Sequence, residues 1–187
     1  MVSVKRLFIA VDLSDSLKNY LFQMTSSICK NDRDIRAIPA DSIHITLKFL
    51  GETQISKIDK IAEAVRKTAG SFDKFTLSLS DSFGCFPKTD SARILFIPVA
   101  DGNNKLKEIF NELENNLSKL KIKRENREFI SHITVARIRN KKNISDIISN
   151  KKLDYSEKLI CSKLTLFESL LKPSGAQYII LDEFELK

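Results

Sequence analysis

With 187 residues, 42% of them hydrophobic and 29% charged, the chain can bury a core, and nothing in its composition suggests disorder. A formal charge of +7 favours a polyanionic partner such as nucleic acid. Three cysteines without a C-x-x-C pair argue against a zinc knuckle or disulfide framework, and five glycines without a phosphate-cradling loop argue against a Gly-rich nucleotide fold.

Met1–Asp12 carries no leader-like pattern, and no apolar run approaches the ~18 residues of a membrane span. The expectation is a cytoplasmic chain, monomeric and without a membrane partner, forming one bilobal domain over 1–187. Val4–Leu13 is apolar and β-branched and predicts a buried strand. Ser14 is placed to cap a helix whose inner face is Leu17, Tyr20, Leu21, Met24 and Ile28. A short extended segment over Ile35–Pro39 leads to Ser42–Leu50, which alternates as a strand does, with Gly51 expected to close it. A second helix fits Gln54–Ala69.

Phe75–Phe83 alternates again, Phe83–Pro87 is expected as a turn-bearing connection, and Arg93–Val99 as a strand. A third helix is expected over Asp101–Leu120, a strand over Phe129–Ile138, a basic patch over Arg137–Lys142 that either contacts RNA backbone or is simply a wet loop, and a short helix over Ile144–Ser149. Two closing strands, Lys158–Leu171 and Gln177–Leu186, flank a Pro173-Ser174-Gly175 turn. Strands and helices mix without regular alternation, which predicts an α+β fold of mainly antiparallel sheet.

The chain has two histidines, His44 and His132, and each is followed by Ile and then Thr. Threonine occurs only eight times, so its presence two residues after both histidines is a notable repeat. Side chains at i and i+2 share one face of a strand, so each strand presents an imidazole with a hydroxyl. Imidazole titrates near neutrality and serves as acid or base. The hydroxyls of Thr46 and Thr134 donate to anionic oxygens. Two such units facing each other supply a base, an acid and two oxyanion donors, a set suited to in-line displacement at phosphorus. A strained cyclic phosphate keeps its leaving oxygen tethered and does not require a metal. Two histidines alone also fall short of the three or four protein ligands of zinc sites, so no metal and no cofactor is expected.

These residues resemble the two-histidine phosphoesterase superfamily, marked by paired His-x-Thr motifs, and within it the LigT-like RNA 2′,3′-cyclic phosphodiesterases. Residues 6–13 (RLFIAVDL), 42–52 (SIHITLKFLGE), 83–87 with 93–96, 131–137 (SHITVAR), and 166–169 with 173–178 resemble that family's segments in order. Arg127-Glu128-Phe129-Ile130-Ser131 departs from the family, whose members often carry proline before the second histidine. The resemblance implies two pseudo-symmetric lobes around a central cleft, with helices packed outside. It implies opening of a terminal 2′,3′-cyclic phosphate on RNA, tRNA fragments included, to a 2′-phosphate. His44 would be the proton donor to O3′, His132 the proton acceptor from water, and Thr46 and Thr134 the phosphate ligands.

Phe49 and Arg137 each lie five residues after a motif histidine, and the resemblance places them against the terminal base. An odd offset points away from the histidine on a regular strand, so a bulge is required. Lys48 shares the nominal face of His44 and adds charge there, or is a solvated lysine. Three alternatives use the same residues. One is a 2′-5′ RNA ligase, with a 5′-hydroxyl replacing water. Another is a non-catalytic RNA-binding module. The third is an enzyme acting on a small cyclic phosphate.

Overall fold

The computed structural model describes residues 3–30, 32–173 and 175–187. Ser174 of the expected closing turn lies outside them. In chain order the elements are β1 (Val4–Asp12), α1 (Asp15–Cys29), β2 (Ile35–Ala37), β3 (His44–Gln54), α2 (Ile58–Ala69), β4 (Phe75–Leu77), β5 (Gly84–Phe86), β6 (Ala92–Pro98), α3 (Asn103–Ser118), β7 (His132–Lys142), α4 (Ser145–Asn150), β8 (Leu159–Cys161), β9 (Lys163–Lys172) and β10 (Gly175–Glu185). The fold is α+β and its strand pairs are antiparallel.

One sheet runs β10-β9-β1-β3-β7-β6-β5, with β2 also paired to β7, and β4 and β8 form a separate ribbon. The main sheet divides at the β3–β7 junction. On one side lie β10, β9, β1 and β3; on the other lie β7, β6, β5 and β2. This agrees with the two-lobed arrangement expected.

The two faces of the sheet differ in character. Leu7, Ile9 and Val11 of β1, Ile45 and Leu47 of β3, and Ile133 and Val135 of β7 join the helices in one large apolar cluster. Period-two alternation turns Phe8 and Ala10 to the opposite face, where they form a small cluster with Phe167 and Tyr178. The helices earn their places by the same pattern. Ser14 caps α1 through its hydroxyl, which accepts from Leu17 N. Leu106, Ile109, Leu113 and Leu117 of α3 recur at helical spacing and are buried.

Several boundaries differ from expectation. Gly51 does not close its strand: it adopts φ +68°, and β3 continues to Gln54. Residues 84–86 form the edge strand β5. A Cβ on Gly84 would stand 2.5 Å from the Phe96 ring, so glycine is needed for that ring to lie against the edge. The alternation over Phe75–Phe83 yields only β4 and a single bridge, Leu79 to Val99. Lys158–Leu171 breaks at Ser162 into β8 and β9. The basic run Arg137–Lys142 is not a loop but the second half of β7, where it pairs with β2 and β6.

Candidate active site

The strands β3 and β7 join at one bridge, Ile45 opposite Ile133. Antiparallel partners point to the same face, and both isoleucines point into the helix-side core. Their neighbours therefore point to the other face. Continuing the register sets His44 across from Thr134 and Thr46 across from His132. The two His-x-Thr tripeptides thus form a two-by-two block around a local two-fold through the bridge. Each imidazole has one threonine beside it along its strand and another across from it. Diagonal positions in such a block lie about 7–8 Å apart.

Both rings are held the same way. His132 Nδ1 donates to the carbonyl of Ile130 at 2.6 Å. The backbone of Ser42, likewise two residues upstream, hydrogen-bonds the His44 ring. His44 Nε2 lies 2.9 Å from Thr46 Oγ1. A carbonyl behind one ring nitrogen fixes the tautomer and leaves the other nitrogen to act.

The required bulge is present twice. In β1–β3, Ala10 faces Thr46, Ile9 faces Lys48 and Phe8 faces Phe49, so Leu47 is the extra residue. In β6–β7, Phe96 faces Thr134, Leu95 faces Ala136 and Ile94 faces Arg137, so Val135 is the extra residue. The bulge restores Phe49 and Arg137 to the face that carries the histidines. It has the reverse effect on Lys48. Lys48 does not share the face of His44: it is 6% exposed, with Nζ 2.5 Å from Glu114 Oε1 and 2.8 Å from the carbonyl of Lys123.

Aromatic rings crowd each histidine. Phe8, Tyr178 and Phe167 stand 4.9, 5.3 and 6.1 Å from the His44 ring. Phe96 and Phe86 stand 4.9 and 5.2 Å from that of His132. Burial among them lowers the pKa of His44 from 6.5 to about 4, with Asp12 across the strand and the Ser42 backbone opposing the shift. The positive charges of Lys18 and His132 push it further down. Burial lowers His132 as well, against its bond to Ile130. These rings come from strands distant in sequence, and no periodicity in the chain marks them as neighbours.

A cleft of about 800 Å³ opens on this face, ample for a nucleotide. His44, Thr46, Thr134, Phe49 and Arg137 line it, and His132 is not among the lining residues. Arg6, Arg36, Arg137 and Lys172 give its wall four cations against the single carboxylate of Asp41. Among the described residues, no group of three or more His, Cys, Asp or Glu side chains is placed to hold a metal ion.

Residues 27–172 match the 2′-5′ RNA ligase superfamily. The RNA 2′,3′-cyclic phosphodiesterase of Methanocaldococcus jannaschii is 31% identical over 96% of this chain and 99% of its own length. The protein of that name from Methanothermobacter thermautotrophicus is 26% identical over 97% and 98%. The crystal structure of Escherichia coli LigT superposes with a TM-score of 0.81 at 22% identity, covering 98% of both chains, and thereby supports the fold.

Proposed function

The chain belongs to the 2′-5′ RNA ligase superfamily, and from that premise we propose that it hydrolyses the 2′,3′-cyclic phosphate at an RNA 3′ end to a 2′-phosphate. The observation that carries this reading is the Ile45–Ile133 bridge, which brings the two His-x-Thr tripeptides together on adjacent strands. Relatives named RNA 2′,3′-cyclic phosphodiesterase, matched over nearly the whole chain, supply the substrate class. RNA fragments with such ends, those of tRNA included, are the substrates of this chemistry.

The cyclic phosphate sits between the rings, its non-bridging oxygens held by the hydroxyls of Thr46 and Thr134. His132 Nε2 takes a proton from water as the water oxygen attacks phosphorus. The P–O3′ bond breaks on the opposite side, and His44 delivers a proton to O3′. The products are a 2′-phosphate and a 3′-hydroxyl, and one proton has passed from His132 to His44 through solvent by the end of the cycle. The cleft supports this placement of the phosphate. It is lined by His44, Thr46 and Thr134, so a nucleoside within it brings its phosphate to the paired motifs, and the family resemblance assigns the donor to His44 and the acceptor to His132.

In the free protein His44 holds its proton weakly. The bound phosphate corrects this, because an anion within ~4–6 Å favours the imidazolium. Phe49 and Arg137, brought to the cleft by the paired bulges, flank the terminal base; an aromatic face and a guanidinium plane both stack on any base.

The test is direct. An RNA carrying a 2′,3′-cyclic phosphate, incubated with the protein in EDTA, should accumulate a 2′-phosphate end. Adding an RNA with a 5′-hydroxyl distinguishes ligation, since a joined product with little hydrolysis would replace the hydrolase by the ligase.

A further inference from the structure

Arg36 lies directly across from Arg137 in the β2–β7 ladder, so the two guanidiniums leave adjacent strands on the same face, and both line the cleft. Residues paired in this way have Cβ atoms about 4.5–5.5 Å apart. Resting on the reading above, we propose that Arg36 and Arg137 form a clamp for the phosphodiester immediately 5′ of the terminal nucleotide. The clamp makes an RNA end, rather than a cyclic mononucleotide, the preferred substrate.

The ladder around the pair shows why this position is unusual. Elsewhere β2 and its approach meet β7 with complementary groups. Asp32 pairs with Lys142, and Asp34 Oδ1 accepts from Asn140 Nδ2 at 3.0 Å. At the cleft the ladder instead sets two guanidinium side chains opposite each other, Arg36 and Arg137, both lining the cleft. The Arg137 guanidinium makes no hydrogen bond or ion pair with any described residue.

The platform is also rigid. Arg139 N donates to the Asp34 carbonyl and Ile38 N to the Val135 carbonyl, each at 2.8 Å, so backbone bonds brace Arg36 on both sides. Paired guanidinium forks match the two non-bridging oxygens of a phosphodiester better than lysines would.

The reach is suitable too. Arg137 stands roughly 7–10 Å beyond Thr134 along the bulged strand, about one nucleotide from the reacting phosphorus. A guanidinium there can stack on the terminal base with its plane while its N–H edge meets the preceding phosphate.

The test is a comparison of charge. Binding is measured by calorimetry for two dinucleotides ending in a 2′-phosphate. One has a natural phosphodiester and the other a neutral methylphosphonate in its place. Wild-type protein should prefer the phosphodiester at least tenfold. Arg36→Gln should lose that preference, and Arg36→Lys should regain part of it. The slope of log affinity against log salt should fall by about 0.7 in Arg36→Gln for the phosphodiester ligand. Unchanged circular dichroism melts exclude misfolding as the cause. If wild-type protein does not distinguish the two linkages, or Arg36→Gln distinguishes them as well as wild type, the clamp is wrong. Because the readout is binding, an inactive wild type that still prefers the phosphodiester would count against the hydrolase alone.

Discussion

Ile45 lies directly across from Ile133, and this bridge is the pivot that sets His44 and His132 on a diagonal of one sheet face. Because backbone pairing and core packing hold the pivot, either imidazole can be removed without disturbing the other. His44→Ala and His132→Ala should each lower kcat by about 10²–10⁴-fold, the usual worth of one proton-transfer group. RNA affinity and melting temperature should stay near wild type. Full turnover in both variants would mean that the block is not a reaction centre, and would favour a binding module.

Phe49 is 67% exposed, so truncating it removes little from the folded core. Stacking on a base is worth about 1–3 kcal/mol by alanine substitution. Phe49→Ala should therefore raise KM by roughly 10–100-fold, with a smaller change in kcat and a nearly unchanged urea midpoint. A loss confined to kcat would place Phe49 at the reacting phosphate instead of the base.

The strand patterns around both histidines were legible because His44-Ile45-Thr46 and His132-Ile133-Thr134 obey simple alternation on either side of a buried isoleucine. The need for a bulge was legible from the odd offsets of Phe49 and Arg137. Which residue would be extruded was not, and that choice decides the fate of Lys48. Alternation alone sets Lys48 beside His44, whereas the extra residue at Leu47 sends it to Glu114 on the helix side. Arg36 shows the same limit. Its partner across the ladder is a hundred residues away, and only the pairing of β2 with β7 makes the two arginines neighbours.

The buried pair of Lys48 and Glu114 ties the β3 bulge to α3, and the Glu114 carboxylate also accepts from Glu125 N at 3.1 Å. Both residues are 6% exposed. Removing one partner strands a charge in the interior. Glu114→Ala or Lys48→Met should thus destabilise the protein by about 3–5 kcal/mol in urea denaturation. Replacing both, as Lys48→Met with Glu114→Leu, should restore most of that, since a well-packed apolar pair can match a buried ion pair. Additive losses in the double variant would show that the residues contribute separately and not as a pair.

Stability should depend on pH through His44. Its folded pKa is lowered to about 4, while the unfolded chain titrates near 6.5. Below 6.5 the unfolded state binds a proton that the folded state refuses, so stability is full above that pH and is lost as pH falls towards 4. A shift of this size corresponds to about 3 kcal/mol between pH 7 and pH 4. His132 shifts in the same direction and adds to the trend. His44→Gln cannot titrate, so it should lose about 3 kcal/mol less than wild type over that interval when both are unfolded in urea. A 2′-nucleotide should offset the loss at pH 5 in wild type more than in His44→Gln, because its phosphate favours the protonated ring. Parallel stability curves for the two proteins would show that His44 is solvated in the fold, and would remove the reason for its low proton affinity in the free cleft.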